Sequence, residues 1–222
     1  MLSQANADVG STDKLCGKGI DVIERNCAHL ILGAIGLAAL ISSRAEAHQG
    51  TGLAGGFAAG LWHPISGLDH LLAMVSVGLW GAFLGRPLIY LLPVIFPGMM
   101  VVGAAIGMSG VPLPPVEVGI AMSIVTLGMM ILFAVRAPIP VACGIVGLFA
   151  LFHGYAHGAE LPSAADPIGY SAGFVLCTGT LHLAGIALGM VRSLPMGTIA
   201  LRGVGGGIVA VGGWFLYTAI GL

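Results

Sequence analysis

Long apolar stretches alternate with short polar breaks along the chain from Gly50 to its end. A helix that crosses a bilayer needs about 20 mostly apolar residues, and the chain offers stretches of that kind at six places. Their approximate ranges are 51–85, 88–108, 115–135, 138–158, 167–191 and 197–221. The pattern predicts an all-α fold: a polytopic membrane helix bundle with six main spans in one transmembrane domain, residues 48–222.

The first stretch is too long for one straight helix, and His63-Pro64 and Ser66-Gly67 lie inside it. Proline has no backbone N–H and disrupts a helix interior, so we expect a short helix, a break, and a full helix over about 66–85. Non-helical backbone at membrane depth is tolerated only where protein or a wet cavity covers it. This broken first segment is therefore a candidate functional region.

A shorter apolar stretch, residues 28–41, precedes these spans. Arg25 lies before it and Ala45-Glu46-Ala47 follows it, an arrangement typical of a secretory signal peptide. We expect residues 1–47 to be a polar leader plus a signal peptide that is cleaved after Ala47, so that the mature chain begins at His48. Because the polar segment ahead of Arg25 is unusually long, a later start codon and a retained anchor are the alternatives.

Composition favours residence in lipid and excludes two classes of partner. Of the 222 residues, 57% are hydrophobic and 8% are charged, whereas soluble domains carry about 25% charged residues. The net charge of −1 and the lack of a basic patch argue against nucleic acid. The chain has no G-x-x-x-x-G-K-[ST] motif for a nucleotide.

The four cysteines of the chain lack C-x-x-C spacing, which argues against a disulfide framework or a zinc knuckle.

The arginines of the membrane domain predict its orientation. All four lie in or beside the first, third and fifth connections between spans: Arg86, Arg136, Arg192 and Arg202. The positive-inside rule makes these connections cytoplasmic. The mature N-terminus and the C-terminus are then periplasmic and the protein resides in the bacterial inner membrane. A cleaved signal peptide would put the N-terminus on the same side.

The glycines predict how the spans pack. The chain has 37 of them, and pairs such as Gly103-Gly107 and Gly203-Gly207 have small-xxx-small spacing. Small residues at this spacing let membrane helices approach each other closely. We expect these pairs to lie at helix contacts.

One group of polar residues lies at the predicted break. It reads His63-Pro64-Ile65-Ser66-Gly67-Leu68-Asp69-His70 and is followed by Met74. Ionisable residues inside a span cost about 2.5 kcal/mol or more on insertion scales, so they are functional candidates by default. A helix that begins near Ser66 puts Met74 one turn from His70 on the same face, with His63 across the break.

A second group, His153-Gly154-Tyr155-Ala156-His157-Gly158-Ala159-Glu160, ends the fourth later span. His153, His157 and Glu160 share one helical face, and two imidazoles at i and i+4 can hold one cation. The predicted topology brings both groups to the periplasmic face, on the same side as His48. His182 lies deeper, near the middle of the fifth later span.

These residue types predict a site for a divalent transition metal. Imidazole with carboxylate suits nickel, cobalt, copper or zinc, and the thiolates that favour copper(I) are missing from these groups. Asp69 and Glu160 act either as direct ligands or as acceptors that fix a histidine tautomer. A lone membrane histidine such as His182 is more often a hydrogen bonder between helices. The candidate ion contacts are His48, His63, Asp69, His70, Met74, His153, His157, Glu160 and His182.

The strings H-P-x-x-G-x-D-H at residues 63–70, with Met74, and H-G-x-A-H-G-x-E at residues 153–160 together resemble the HupE/UreJ family of nickel permeases. These proteins accompany hydrogenase and urease maturation in bacteria. The resemblance covers roughly residues 48–222. It implies six spans in the inner membrane and import of nickel, or of cobalt in some members, by facilitated diffusion. The residues that it implies for uptake are His63, Asp69, His70, His153, His157 and Glu160.

We expect a permease rather than an enzyme, with the transported ion and the bilayer as partners and no prosthetic group. His48 and the two motifs would capture the ion, and Met74 and His182 would contact it later. The alternatives are an intramembrane metalloenzyme, since histidines with an acid can activate water, and a metal-binding accessory subunit that does not transport. The sequence leaves open nickel versus cobalt, proton coupling and whether the chain forms a homo-oligomer.

Overall fold

The computed structural model describes residues 53–113, 115–160 and 166–221. The predicted leader, the cleavage site after Ala47 and His48 lie outside these ranges, as does the side chain of Glu160. Seven α-helices make up the described part: α1 Leu53–Ser66, α2 Leu68–Leu84, α3 Leu88–Met108, α4 Val116–Leu132, α5 Ile139–Glu160, α6 Pro167–Gly189 and α7 Gly197–Ala219. A 3-10 turn, Met190–Ser193, follows α6. The described residues contain no strand, so the predicted all-α class is confirmed.

Four of the described helices are long and apolar enough to cross a membrane, and their candidate spans are Leu88–Met108, Ile139–Ala159, Pro167–Ser193 and Gly197–Ala219. The pair α1 and α2 counts as a fifth span if it is treated as one broken segment. Helix α4 is apolar but has only 17 residues. The chain is therefore a multi-pass helical membrane protein. The count of six spans stays a prediction.

The predicted break in the first segment is confirmed, and it lies at Gly67. The axes of α1 and α2 differ in direction by 79°, and Gly67 has extended backbone torsions of φ −90° and ψ 110°. Pro64 lies inside the last turn of α1, three residues before the break. Helix α1 therefore continues through the proline to Ser66, and the glycine makes the corner.

Glycines bring the backbones of α3 and α5 into direct contact. A Cβ at Gly103 would overlap the carbonyl of Leu151, and one at Gly154 would overlap the carbonyl of Met100. A Cβ at Gly158 would likewise overlap Ala104. This reciprocal packing of small residues fixes the depth and rotation of α5 against α3.

The packing expectation for glycine is confirmed at Gly103-Gly107 and is wrong at Gly203-Gly207. A Cβ at Gly203 or Gly207 would meet no described heavy atom within 4 Å. The close approach of α7 to α4 instead occurs at Gly205 and Gly212. Glycines of α7 do pack closely against another helix, as the spacing predicted. Several glycines of α7 have this spacing, however, and the sequence does not say which face of the helix turns inward.

At the end of the bundle that is opposite the bend at Gly67, arginine side chains donate hydrogen bonds to the C-termini of two helices. The Nη1 of Arg192 donates to the carbonyl of Phe83 at 2.9 Å, and the Nε of Arg202 donates to the carbonyl of Leu132 at 2.7 Å. The last carbonyls of a helix have no helical donor, so each guanidinium satisfies one of them at the end of α2 or α4. The arginines of three connections thus share one end of the bundle, opposite the bend at Gly67.

Candidate metal centre

Three imidazoles from three helices converge beside the bend between α1 and α2. One ring nitrogen from each of His63, His70 and His157 lies within 4.8 Å of the other two. The ring centroids are 5.8 Å apart for His63 and His70, 4.9 Å for His63 and His157, and 4.7 Å for His70 and His157. Bonds between imidazole nitrogen and a first-row metal are about 2.0–2.1 Å long, so small side-chain rotations suffice for all three nitrogens to reach one cation.

The bend is the reason that His63 faces His70. In a continuous helix, these residues would lie about 10 Å apart along the axis. The corner at Gly67 turns the end of α1 across the start of α2, which places the His63 ring against both other rings. His70 is 9% exposed and His157 is 7% exposed, so the cluster is largely shielded from solvent.

Asp69 orients His70. Its Oδ1 lies 2.9 Å from the His70 Nδ1 and also accepts the backbone N–H of His70 at 2.9 Å. A carboxylate only accepts hydrogen bonds, so the proton of neutral His70 belongs on Nδ1 and the lone pair on Nε2. The Nε2 of His70 is buried without a hydrogen-bond partner among the described residues. A carboxylate behind an imidazole is the usual support of a metal-binding histidine.

Gly67 leaves the space that this pair occupies. A Cβ at residue 67 would lie 2.9 Å from the Oδ1 of Asp69 and 3.2 Å from the Nδ1 of His70. Its φ of −90° is accessible to any residue, so the backbone conformation does not require glycine. Glycine is needed because a larger residue would take the space of the two side chains. The first motif thus combines a corner, an orienting acid and two imidazoles.

The second motif divides its residues between the site and the packing of α5. His153 and His157 face the interior, and the glycine after each of them contacts the backbone of α3. Tyr155 points elsewhere: its hydroxyl donates to the carbonyl of Val111 at 2.9 Å and accepts the N–H of Leu113 at 3.3 Å. The string H-G-Y-A-H-G therefore fixes α5 and the loop after α3 while it presents two imidazoles.

His153 lies directly beside the three-histidine cluster. Its ring contacts that of His70 with centroids 5.2 Å apart. Its Nδ1 lies 3.0 Å from the carbonyl of Phe149, an acceptor that puts the ring proton on Nδ1. The buried Nε2 has no partner within the described helices. The structure thus groups His157 with His63 and His70, where the sequence suggested a pair of His153 and His157.

Helix α6 supplies an aromatic wall that sequence reasoning missed. The ring centroid of Phe174 lies 4.4 Å from that of His157, and Tyr170 lies 5.9 Å from His63. A cavity of about 90 Å³ beside His157 extends along this wall from Tyr170 to Thr178. The spacing of four residues from Tyr170 to Phe174, Thr178 and His182 is the signal that could have revealed this face of α6.

The remaining residues that the sequence predicts to contact the ion lie away from the three-histidine cluster or outside the described part of the chain. Met74 is fully buried in the apolar core one turn after His70, and its contact with an ion stays a prediction. His182 is fully buried farther along α6, with its ring 5.2 Å from that of Phe96. The His48 residue and the Glu160 side chain lie outside the described part of the chain, so their roles as ligands also stay predictions.

Comparison with known proteins agrees with the two motifs. The family model described as HupE / UreJ protein matches residues 36–215. The chain is 46% identical over 178 residues to Protein HupE of Rhizobium leguminosarum bv. viciae, an alignment that covers 80% of this chain and 92% of that protein. No solved structure matches the chain. The family match extends over both histidine motifs and six of the seven described helices in full, and the chain therefore belongs to the HupE/UreJ family.

Proposed function

We propose that this protein is an inner-membrane permease that imports a divalent transition metal from the periplasm, with nickel as its principal substrate and cobalt as the alternative. The imported ion would supply the maturation of a metalloenzyme of the hydrogenase or urease type, as the resemblance implies. The observation that carries the proposal is the convergence of His63, His70 and His157 inside a membrane helix bundle. The break in the helix and the buried, unpartnered Nε2 of His70 have no evident purpose in a purely structural site.

The donor set suits capture followed by release. Three neutral imidazoles bind nickel or cobalt well, and they hold it less tightly than a cage of thiolates would. Asp69 lies directly behind His70 and offsets part of the ion's charge without being a ligand in the described geometry. A transport site must bind strongly enough to admit the ion and weakly enough to let it leave. Three imidazoles with one orienting carboxylate meet both needs.

The distribution of charge supports inward movement. The arginine-rich end of the bundle is opposite the histidine cluster, and the positive-inside rule assigns that end to the cytoplasm. The cluster would then open toward the periplasm. A membrane potential that is negative inside favours the entry of a doubly charged cation by about 4.6 kcal/mol per 100 mV. Facilitated diffusion therefore needs no further source of energy.

The position of the Asp69 carboxylate favours a transport site over the metalloenzyme alternative. Three histidines also hold catalytic zinc with one open position, so the ligand count by itself does not separate the two functions. A hydrolytic site needs a base near the metal-bound water. The Oδ1 of Asp69, which is the described carboxylate of the cluster, already accepts two hydrogen bonds from His70. In this geometry Asp69 supports a ligand, which favours a binding role for this carboxylate over that of a base.

Uptake of radioactive nickel tests the proposal. Cells that lack their own nickel importers would express the intact chain, His70→Ala, His157→Ala or the control Leu183→Ala, a lipid-facing residue of α6 that is 66% exposed. Membrane abundance would be matched by immunoblot. We expect uptake with the intact chain and the control, and a loss of at least tenfold in both histidine variants. Correct insertion without nickel or cobalt uptake by the intact chain would rule out the permease.

A further inference from the structure

His182 lies deep in α6, away from the three-histidine cluster, and its burial calls for an explanation. Its side chain is fully buried, and neither ring nitrogen makes a hydrogen bond of good geometry with a described residue. Burying a polar ring without partners is unfavourable. A leucine of similar size would fill the same space without this cost. Packing alone therefore does not explain a histidine at this position.

The ring of His182 lies beside the carbonyl of Pro93 in α3. Residue 97 is also proline, so it has no N–H to bond the Pro93 carbonyl four residues earlier. That carbonyl is an acceptor that the helix leaves free. It can take the proton-bearing nitrogen of His182, and the other ring nitrogen then carries the lone pair.

The same arrangement occurs at two other histidines of the interior. The Nδ1 of His70 faces the Asp69 carboxylate, and the Nδ1 of His153 faces the Phe149 carbonyl, at 2.9 and 3.0 Å. In each case an oxygen fixes the tautomer and the opposite nitrogen has no partner in the described structure. Histidines that bind metals are commonly supported by a carboxylate or carbonyl in this manner. His182 repeats the pattern at a greater depth.

His182 also lies farther along α6 than the residue of that helix that contacts the outer cluster. It is eight residues beyond Phe174, or about 12 Å along the axis of α6, and Phe174 contacts His157. The cavity beside His157 ends at Thr178, one turn before His182. The fully buried Phe96 ring contacts His153 at 5.6 Å and His182 at 5.2 Å. Phe96 therefore separates the outer histidines from the inner one.

We propose that His182, oriented by the Pro93 carbonyl, is a second and inner binding station for the divalent transition metal, behind the Phe96 ring. This inference rests on the proposed transport function for its physiological meaning, although the station itself can be detected by binding alone. An ion that leaves the outer cluster reaches an imidazole before the cytoplasmic end. A single protein ligand beside a carbonyl binds weakly, which favours onward release.

Nickel binding to the purified full chain in lipid nanodiscs gives the first test. We expect two ions per intact chain at saturation, one in His182→Leu, and one in His157→Ala. Ser76→Ala is the control, because it removes a different fully buried polar group, a hydroxyl that has no partner among the described groups. This variant should bind two ions. Equal numbers of ions in the intact chain and His182→Leu would overturn the inner station, whether or not the chain transports nickel.

Uptake with a second variant separates an ion contact from a structural role. His182→Gln keeps an N–H donor that can serve the Pro93 carbonyl and lacks the imidazole. We expect nickel uptake to fall at least tenfold in both His182→Leu and His182→Gln, while the outer ion still raises the Tm of both variants. Uptake within twofold of the intact chain in either variant would contradict the proposal. Absence of uptake in the intact chain would count against the permease, and the ion count would still decide on the station.

Discussion

The imidazoles of His63 and His157 lie 4.9 Å apart, centroid to centroid, although they come from the first and fifth described helices. Two separate features of the backbone create this contact. The corner at Gly67 turns the end of α1 toward the interior, and the backbone contact of Gly154 with Met100 sets the depth of α5. Each feature can be disturbed without touching an imidazole, so each yields a test of how the site is built.

Gly154→Ala should destabilise the fold, whereas Gly144→Ala in the same helix should not. A Cβ at Gly154 would overlap the Met100 carbonyl, and one at Gly144 would meet no described atom within 4 Å. Overpacking of this kind costs about 1–3 kcal/mol, while alanine in an open helical position gains about 0.5–1 kcal/mol over glycine. Unfolding of both purified variants in detergent measures the difference.

The two variants also report on the site. Because Gly154 lies between His153 and His157 in sequence, displacement of α5 should weaken nickel binding together with stability. Gly144→Ala should bind nickel like the intact chain. Equal unfolding free energies for the two variants would mean that α3 and α5 are not in backbone contact at this position.

Gly67→Ala should impair metal binding far more than stability. The new Cβ would press on the Oδ1 of Asp69 at 2.9 Å and on the Nδ1 of His70 at 3.2 Å, while the φ of −90° accommodates alanine. We expect at least a tenfold loss of nickel affinity, with an unfolding free energy of the metal-free protein within about 1 kcal/mol of the intact chain. Nickel titration followed by thermal unfolding measures both quantities.

Gly179→Ala provides the control for this experiment, because a Cβ at Gly179 has no described neighbour within 4 Å. It should leave the nickel affinity unchanged and, as an alanine in an open helical position, raise the unfolding free energy by about 0.5–1 kcal/mol. An intact nickel affinity in Gly67→Ala would show that the Asp69 and His70 pair does not need the space that glycine leaves.

Much of this arrangement was predictable from the sequence, and the limits have physical causes. The helical class, the break near residue 67 and the two histidine motifs follow from hydropathy, from proline and glycine chemistry and from the cost of polar groups in lipid. The grouping of His63 with His157, and the position of His153 beside their cluster, depend on how α5 rotates against α1 and α2. Periodicity within one helix carries no information on that rotation.

The contribution of α6 was harder to foresee. Phe174 and Tyr170 belong to a helix that carries no motif, and aromatic residues in a membrane span usually need no explanation beyond packing. Only their four-residue spacing with His182 distinguishes them. That spacing indicates a face toward the site only once His157 is known to lie against Phe174. The misassigned packing of Gly203-Gly207 has the same origin, because α7 is rich in glycine on more than one face.

Asp69→Asn should lower nickel affinity about tenfold, and Asp69→Ala should lower it further. Asparagine keeps an oxygen that can accept the Nδ1 proton of His70, but it removes the negative charge that strengthens this hydrogen bond. Alanine removes the acceptor altogether, so the ring loses both its orientation and its tautomer preference. Loss of a group behind a metal ligand typically costs 10–100-fold in affinity, and competition with a chelator of known affinity measures it.

The order of the two variants is the diagnostic result. If Asp69 were a direct ligand, Asp69→Asn and Asp69→Ala would lose affinity to a similar extent, since a neutral amide is a poor substitute for a carboxylate on nickel. A graded loss would identify Asp69 as the residue that positions His70.

Arg202→Leu should weaken the arginine-rich end of the bundle without changing the metal site. The Nε of Arg202 donates to the Leu132 carbonyl at 2.7 Å, at the C-terminal end of α4, and its removal leaves that carbonyl without a donor from the described residues. We expect a loss of about 1 kcal/mol in unfolding free energy and an unchanged nickel affinity. Arg86→Leu is the matched control, because Arg86 stacks over Tyr90 with its guanidinium carbon 5.7 Å from the ring centroid and should cost less. An equal loss in both variants would mean that net positive charge at this end, and not the bond to Leu132, stabilises the fold.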